Sequence, residues 1–176
     1  MSARTVLHEA DISRALTRIA HEILESNRGA ENLVLLGIPT RGVTLAHRLG
    51  ALISSIAQTS VQTGSLDVTL FRDDLAKHPT RSPQPTEIPA GGIDGKTVVL
   101  VDDVLFSGRS IRAALDAIQS IGRPSTVRLA ILIDRGHREL PIRPDFVGKN
   151  IPSSRQERVN VRLFENDGAE AVTIGE

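Results

Sequence analysis

The stretch VVLVDDVLFSGRSIRAA at residues 98–114 constrains the chain more than any other. Residues 98–101 are an apolar run too short for a helix and rich in β-branched side chains, which reads as a buried, parallel strand. The run ends in Asp102 and Asp103. Past Val104, Leu105 and Phe106 comes Ser107-Gly108-Arg109-Ser110, after which Ile111, Ala114, Leu115 and Ile118 recur at helical spacing. The order is strand, loop, helix. A helix start leaves backbone N–H groups unpaired, Gly108 permits close approach of a ligand, and Ser107 and Ser110 add hydroxyls, so the loop suits a phosphate. Two adjacent carboxylates repel that phosphate and must serve another part of the same ligand, either sugar hydroxyls or a metal ion. A strand ending in two aspartates also occurs in response regulators and Walker B segments, and Ser-Gly before a helix is a common cap. The combination of acid pair, short spacer and phosphate-type helix start is what favours a ligand site. No G-x-x-x-x-G-K-[ST] segment accompanies it, which argues against a P-loop NTPase.

Three further stretches repeat the theme of an apolar run that ends in a polar loop. Residues 33–36 form a second buried strand, followed by Gly37-Ile38-Pro39-Thr40-Arg41-Gly42 and an amphipathic stretch at 43–56. That loop can present N–H groups and a guanidinium to an anion, or can be an ordinary strand-to-helix turn. Residues 66–71 alternate apolar and polar side chains and run into Arg72-Asp73-Asp74, and the apolar run 127–133 ends at Asp134-Arg135-Gly136-His137-Arg138. In an open parallel α/β sheet the carboxyl ends of the strands share one edge, so a single composite site explains all four loops. Residues 75–96, rich in proline and glycine, offer little that can pack. They read as a mobile lid over the site or as a surface excursion, within a flexible loop of about 72–96.

Near the start, Asp11 is placed to cap a helix in which Ile12, Leu16, Ile19 and Ile23 recur. The opposite face carries Arg14, Thr17, Arg18, His21 and Glu25, a solvated face on spacing alone. Residues 146–150, 159–163 and 171–174 are short strands expected to form a small antiparallel appendage or to extend the sheet edge. With 176 residues and 40% apolar content the chain makes one domain with a sizeable core. Twenty-one basic residues balance twenty-one acidic ones, so nucleic-acid binding requires a local patch. Residues 135–162 hold seven basic side chains against three acidic ones, an excess of four. The absence of cysteine excludes disulfides, thiolate metal sites and a cysteine nucleophile. Phe71, Phe106, Phe146 and Phe164 are the only aromatics, too few for an array of stacked RNA bases. No run of eighteen apolar residues and no signal-peptide pattern occur, so the expectation is a soluble, cytoplasmic protein.

The segment VVLVDDVLFSGRSIRAALDAI closely resembles the phosphoribosyl pyrophosphate (PRPP) motif of type I phosphoribosyltransferases. The resemblance implies that fold, a mostly parallel α/β sheet flanked by helices with a flexible loop over the site. It also implies that Asp102 and Asp103 hold the ribose hydroxyls at the catalytic centre. Val104, Leu105, Phe106, Ser107, Gly108, Arg109 and Ser110 then wrap the 5′-phosphate, with Val99, Leu100 and Val101 leading into the substrate site. GIPTRG looks like the pyrophosphate loop, which assigns Thr40 and Arg41 to pyrophosphate, and Arg72 is a further candidate there.

More narrowly, GIPTRGVTLAHRL, LDVTLFRDDL and AILIDRGHRELPIRPDFVGKNIP together resemble the PyrR family, bifunctional regulators of pyrimidine operons that also have uracil phosphoribosyltransferase activity. The resemblance runs from about residue 12 to 162, with serine at 107 and 110 where relatives often have threonine. It implies conversion of uracil and PRPP to UMP and pyrophosphate, with Mg2+ held mainly by PRPP and no metal site built by the protein. Ile133, Asp134, Arg135 and His137 then lie in the best region for uracil. Thr17, His21, Arg138, Arg143 and Lys149 match positions associated with binding messenger RNA, UMP acts as co-regulator, and a homo-oligomer is expected. A salvage enzyme without RNA regulation and an RNA-binding regulator with little turnover are the alternatives.

Overall fold

The structure, a computed structural model, describes residues 2–77 and 82–176. In chain order the elements are β1 (Arg4–His8), α1 (Glu9–Asn27), β2 (Leu33–Gly37), α2 (Arg41–Ala57), β3 (Gln62–Ser65), β4 (Thr97–Leu105), α3 (Arg109–Gln119), β5 (Thr126–Asp134), β6 (Phe146–Asn150), β7 (Arg158–Arg162), α4 (Phe164–Asp167) and β8 (Ala171–Gly175), with a 3-10 turn at Thr69–Phe71. Five strands form one sheet in the order β3-β2-β4-β5-β6, parallel throughout. The other three form a small antiparallel sheet, β1-β8-β7.

Alternation along the central strand divides the core. Val99 and Val101 join Leu35, Leu132 and the buried sides of α1 and α2, including Ile12, Leu16, Ile19, Leu45, Leu49 and Ile53. Val98 and Leu100 face the other way, onto Ile111, Ala114, Ala117 and Ile118 of α3. Both faces are covered, which is why the central strands read as unbroken apolar runs. Leu7, Val161, Val172 and Ile174 of the small sheet join the α1 and α2 side of the core.

Three expectations change, and one strand is added. Asp11 does not cap α1: the helix starts at Glu9, and Asp11 lies in its first turn, where Oδ2 accepts the His8 N–H at 2.8 Å. The third strand is β3, and residues 66–71 form no strand. Leu66 and Val68 alternate because they are buried, but Ser65 already exchanges two backbone bonds with Glu87 (3.0 and 2.9 Å), and the chain then turns. The proline-rich segment is not loose throughout its length. Ile93 is 2% exposed in the α3-side core, and Asp94 Oδ1 accepts the Arg123 N–H at 2.6 Å. Residues 78–81 of that segment lie outside the described residues. The added strand is β1, absent from the sequence reading, which pairs with β8; β6 extends the edge of the parallel sheet, one of the two placements expected for the short strands. Among the described residues no helix is long and apolar enough to cross a membrane.

Candidate active site

The central strand does not stop at the acid pair. Asp102 still pairs with Ile131 of β5, and the ladder continues to Leu105 opposite Asp134. The carboxylates bend back on the chain: Asp102 Oδ1 accepts the Asp103 N–H at 2.9 Å and Asp103 Oδ1 the Val104 N–H at 2.8 Å. Burial, and then the neighbouring Asp103 charge, push the Asp102 carboxyl well above its usual range.

The loop between β2 and α2 is pressed over the end of β4. Ile38 donates its N–H to Val101 O at 2.9 Å. A Cβ on Gly42 would lie 2.5 Å from Val101 O, and one on Gly37 would lie 2.3 Å from Gly42 O, so both glycines are needed for this approach. The Pro39–Thr40 peptide is cis. Thr40 lines the same cavity as the acid pair, and Arg41 opens α2.

A cavity of about 560 Å³ gathers Thr40, Arg41, Arg72, Asp102, Asp103, Val104 and Ser110. It is also lined by Asp67, Val68, Thr69, Ser82 and Gln84, none of them singled out from the sequence. Alternation in the sequence puts Asp67 and Thr69 on the polar face of a strand, but residues 66–71 form none. In the turn, Asp67 Oδ1 accepts the Thr69 hydroxyl at 2.8 Å. A second cavity of about 480 Å³ lies beside the first and shares Arg72 and Ser110 with it; Asp73, Asp74, Lys77, Ser107 and Arg109 complete its lining. Arg72 joins the two, with Nη1 donating to Ser110 Oγ at 3.3 Å and Nε to Asp74 Oδ1 at 2.9 Å. Gly108 takes φ 91° at the start of α3, where a Cβ would lie 3.0 Å from Ile142 Cγ1. Arg109 points away from that helix start, to Asp73 (2.6 Å) and Glu139 (3.3 Å).

Other expected site residues serve differently. Val99, Leu100, Val101, Leu105 and Ile133 are all buried in the core and line neither cavity; they fix the acid pair in place. Asp134, Arg135 and His137 also line neither cavity. The Arg135 guanidinium lies 4.2 Å from the centre of the Phe106 ring and donates to Ser153 Oγ (3.2 Å) and Ser154 O (2.7 Å). His137 meets Phe106 edge-on at 6.0 Å and hydrogen-bonds Ser153 O. Arg138 turns inward, donating to Phe106 O (2.9 Å), Ile142 O (2.8 Å) and Asp134 Oδ2 (2.7 Å).

On the outer edge, Arg18 of α1 donates to Val147 O (3.0 Å) and Gly148 O (2.6 Å) of β6. This holds the half-buried Thr17 and the exposed His21 on the same edge as the exposed Lys149, while Arg143 is exposed in the segment leading into β6. A further contact absent from the sequence reading joins the small sheet to the site: Arg41 donates to both oxygens of Asp167, at 2.6 and 3.1 Å. Among the described residues no group of three or more His, Asp or Glu could hold a metal ion.

Comparison with known proteins gives the fold and the family. The phosphoribosyl transferase domain family matches residues 2–163. A hypoxanthine-guanine phosphoribosyltransferase from Bacillus anthracis superposes with a TM-score of 0.71 at 15% identity, covering 98% of each chain. A hypoxanthine phosphoribosyl transferase from Trypanosoma cruzi gives 0.75 at 16%, covering 98% of this chain and 91% of the other. Fold and family together define a type I phosphoribosyltransferase. Nearer in sequence, the bifunctional protein PyrR of Leifsonia xyli is 66% identical over 181 residues, covering 100% of this chain and 98% of the relative. Those of Streptomyces coelicolor (61%, covering 98% and 90%) and Mycobacterium tuberculosis (54%, covering 98% and 93%) are similar along the same length. The chain belongs to the PyrR family.

Proposed function

We propose that this protein is a UMP-responsive, RNA-binding regulator of pyrimidine biosynthesis genes that also converts uracil and PRPP to UMP and pyrophosphate. One observation carries the catalytic half: a single cavity joins the Asp102–Asp103 pair, the Thr40–Arg41 loop and Ser110 at the start of α3. Ribose hydroxyls bind at the two carboxylates, and the 5′-phosphate at the backbone and hydroxyls of Val104 to Ser110. Pyrophosphate lies toward Thr40 and Arg41, with Arg72 at the junction of the two cavities. Uracil lies toward the segment holding Ile133, Asp134, Arg135 and His137, which packs on Phe106.

The reaction breaks the bond from the anomeric carbon to pyrophosphate and forms one to a uracil nitrogen, whose proton passes to the departing pyrophosphate or to solvent, through a transition state with positive charge on the ribose. Asp102 and Asp103 favour that charge, and the flanking loops hold the two ends of PRPP in line. No side-chain nucleophile is needed. The acid pair fits a divalent cation that arrives with the substrate: burial and mutual repulsion raise the Asp102 pKa, and a cation would relieve both. Magnesium bound with PRPP would supply charge neutralisation at the leaving diphosphate.

RNA lies along the edge bearing Thr17, His21 and Lys149, with Arg143, and UMP in the site favours the binding-competent form. Arg138 contributes by shaping the loop. The protein acts in the cytoplasm, as one domain per chain and as a homo-oligomer. A second reading, a uracil-salvage enzyme without RNA control, is favoured by one fact: three of the five Arg138 donors are spent within the protein. Two measurements on one preparation test the proposal: UMP formation, and binding to the pyrimidine operon leader with and without UMP at two salt concentrations. Turnover with UMP-enhanced, salt-sensitive binding is expected. Turnover without RNA binding would leave the salvage enzyme, and no turnover would overturn the catalytic reading.

A further inference from the structure

Arg41 is the cation at the diphosphate end of the cavity, and what holds it lies outside the parallel sheet. Asp167, at the end of α4, takes the Arg41 Nη2 and Nε protons side-on at 2.6 and 3.1 Å, leaving the Nη1 edge of the fork for another acceptor. Asp167 is itself fixed, because its Oδ2 accepts the Leu163 N–H at 2.9 Å. The turn that carries it is fastened to α2 one and two turns further along the helix. Thr44 Oγ1 bonds Asn166 Oδ1 at 2.8 Å, and Arg48 binds Glu165 at 2.6 Å and also Glu170. Residues 41, 44 and 48 lie on one face of α2, so this face is dedicated to holding α4.

Competing anions for Arg41 lie inside the site. Asp103 acts on the guanidinium electrostatically, and Arg41 and the acid pair line the same cavity. A cation on a flexible stem beside two carboxylates would swing onto them, closing the ribose position with an internal ion pair. The small antiparallel sheet is thus more than an appendage: the link between β7 and β8 reaches across α2 to the rim of the site.

We propose that Asp167 is a positioning residue for Arg41, holding its guanidinium at the diphosphate end of the cavity and off the Asp102–Asp103 pair. This rests on the reading of the cavity as a PRPP site. The test is steady-state kinetics on the intact protein for wild type, Asp167→Asn, Asp167→Ala, Arg41→Ala and the two double variants, with pyrophosphate as product inhibitor. Asp167→Asn keeps an acceptor for the Leu163 N–H but loses the charge. It should raise the KM for PRPP and the inhibition constant of pyrophosphate about five- to tenfold, with the KM for uracil and kcat each changed less than about threefold. In the Arg41→Ala background the same substitution should have no further effect. Additive effects of the two substitutions would overturn the inference, as would an unchanged KM for PRPP in Asp167→Asn. Both results presuppose an active wild type; a wild type that forms no UMP would instead overturn the PRPP reading, and this inference with it.

Discussion

Asp134 Oδ2 accepts a hydrogen bond from Arg138 Nη2 at 2.7 Å, and the same guanidinium reaches the carbonyls of Phe106 and Ile142. One arginine therefore ties the end of β5 to the loop that opens α3. Arg138→Ala should lower the stability of the protein by about 2 kcal/mol, since it strands a mostly buried carboxylate and two carbonyls. Arg138→Lys should not restore it, because an ammonium cannot span three acceptors in a plane. Urea unfolding of both variants checks this; a midpoint equal to that of wild type in Arg138→Ala would show that the three bonds contribute nothing.

Asp102 presents the opposite case, a carboxylate that the fold tolerates at a cost. Its pKa in the folded protein is raised by burial and by Asp103, so the folded state binds more protons than the unfolded chain between the two pKa values. Stability from this group is greatest below the ordinary carboxylate range and falls as pH rises through the folded pKa. Asp102→Asn keeps the acceptor for the Asp103 N–H and removes the charge. It should stabilise the protein by about 1 kcal/mol at neutral pH, with the gain fading toward acid pH, while turnover falls by about a hundredfold or more. Thermal unfolding at several pH values, beside a UMP assay, would expose an error in either direction.

These two residues show what a sequence does and does not make legible. The parallel core was readable because Val98 to Val101 face helices on both sides and form an unbroken apolar run. The acid pair and the α3 start were readable because they are contiguous. Arg138 announced its charge but not its direction, which Phe106 O and Ile142 O decide. Arg41 and Asp167 are 126 positions apart, and an ion pair has no periodicity to betray it. The same holds for β1, whose five residues find their partner in β8 at the far end of the chain. Asp67 and Thr69 were misplaced because burial of Leu66 and Val68 imitates strand alternation.

The proline-rich segment offers a test of how much of it is anchored. Ile93 is 2% exposed and packed in the α3-side core, whereas Leu70, just ahead of the segment, is 66% exposed. Ile93→Ala should cost about 3 kcal/mol, and Leu70→Ala less than about 0.5 kcal/mol. The comparison needs only urea midpoints. Similar values for the two variants would mean that the end of the segment carries no more packing than the exposed turn ahead of it.

The edge formed by α1 and β6 is where RNA contacts by this protein are expected, and its chemistry separates two kinds of effect. Lys149 and His21 are exposed there, and among the described residues neither makes an ion pair; Arg18, between them, is committed to the carbonyls of Val147 and Gly148. Lys149→Ala should therefore weaken binding to the pyrimidine leader at low salt and reduce the slope of log affinity against log salt by about one. His21→Ala should also lower affinity, through the lost hydrogen bonding and stacking of the imidazole ring. Neither should alter the urea midpoint by more than about 0.5 kcal/mol, in contrast to Arg138→Ala. Filter binding at three salt concentrations reads both quantities. Unaltered affinity in the Lys149→Ala, His21→Ala double variant would place the RNA elsewhere on the molecule, while a loss of affinity accompanied by lower stability would mean that the edge was disturbed rather than a contact removed.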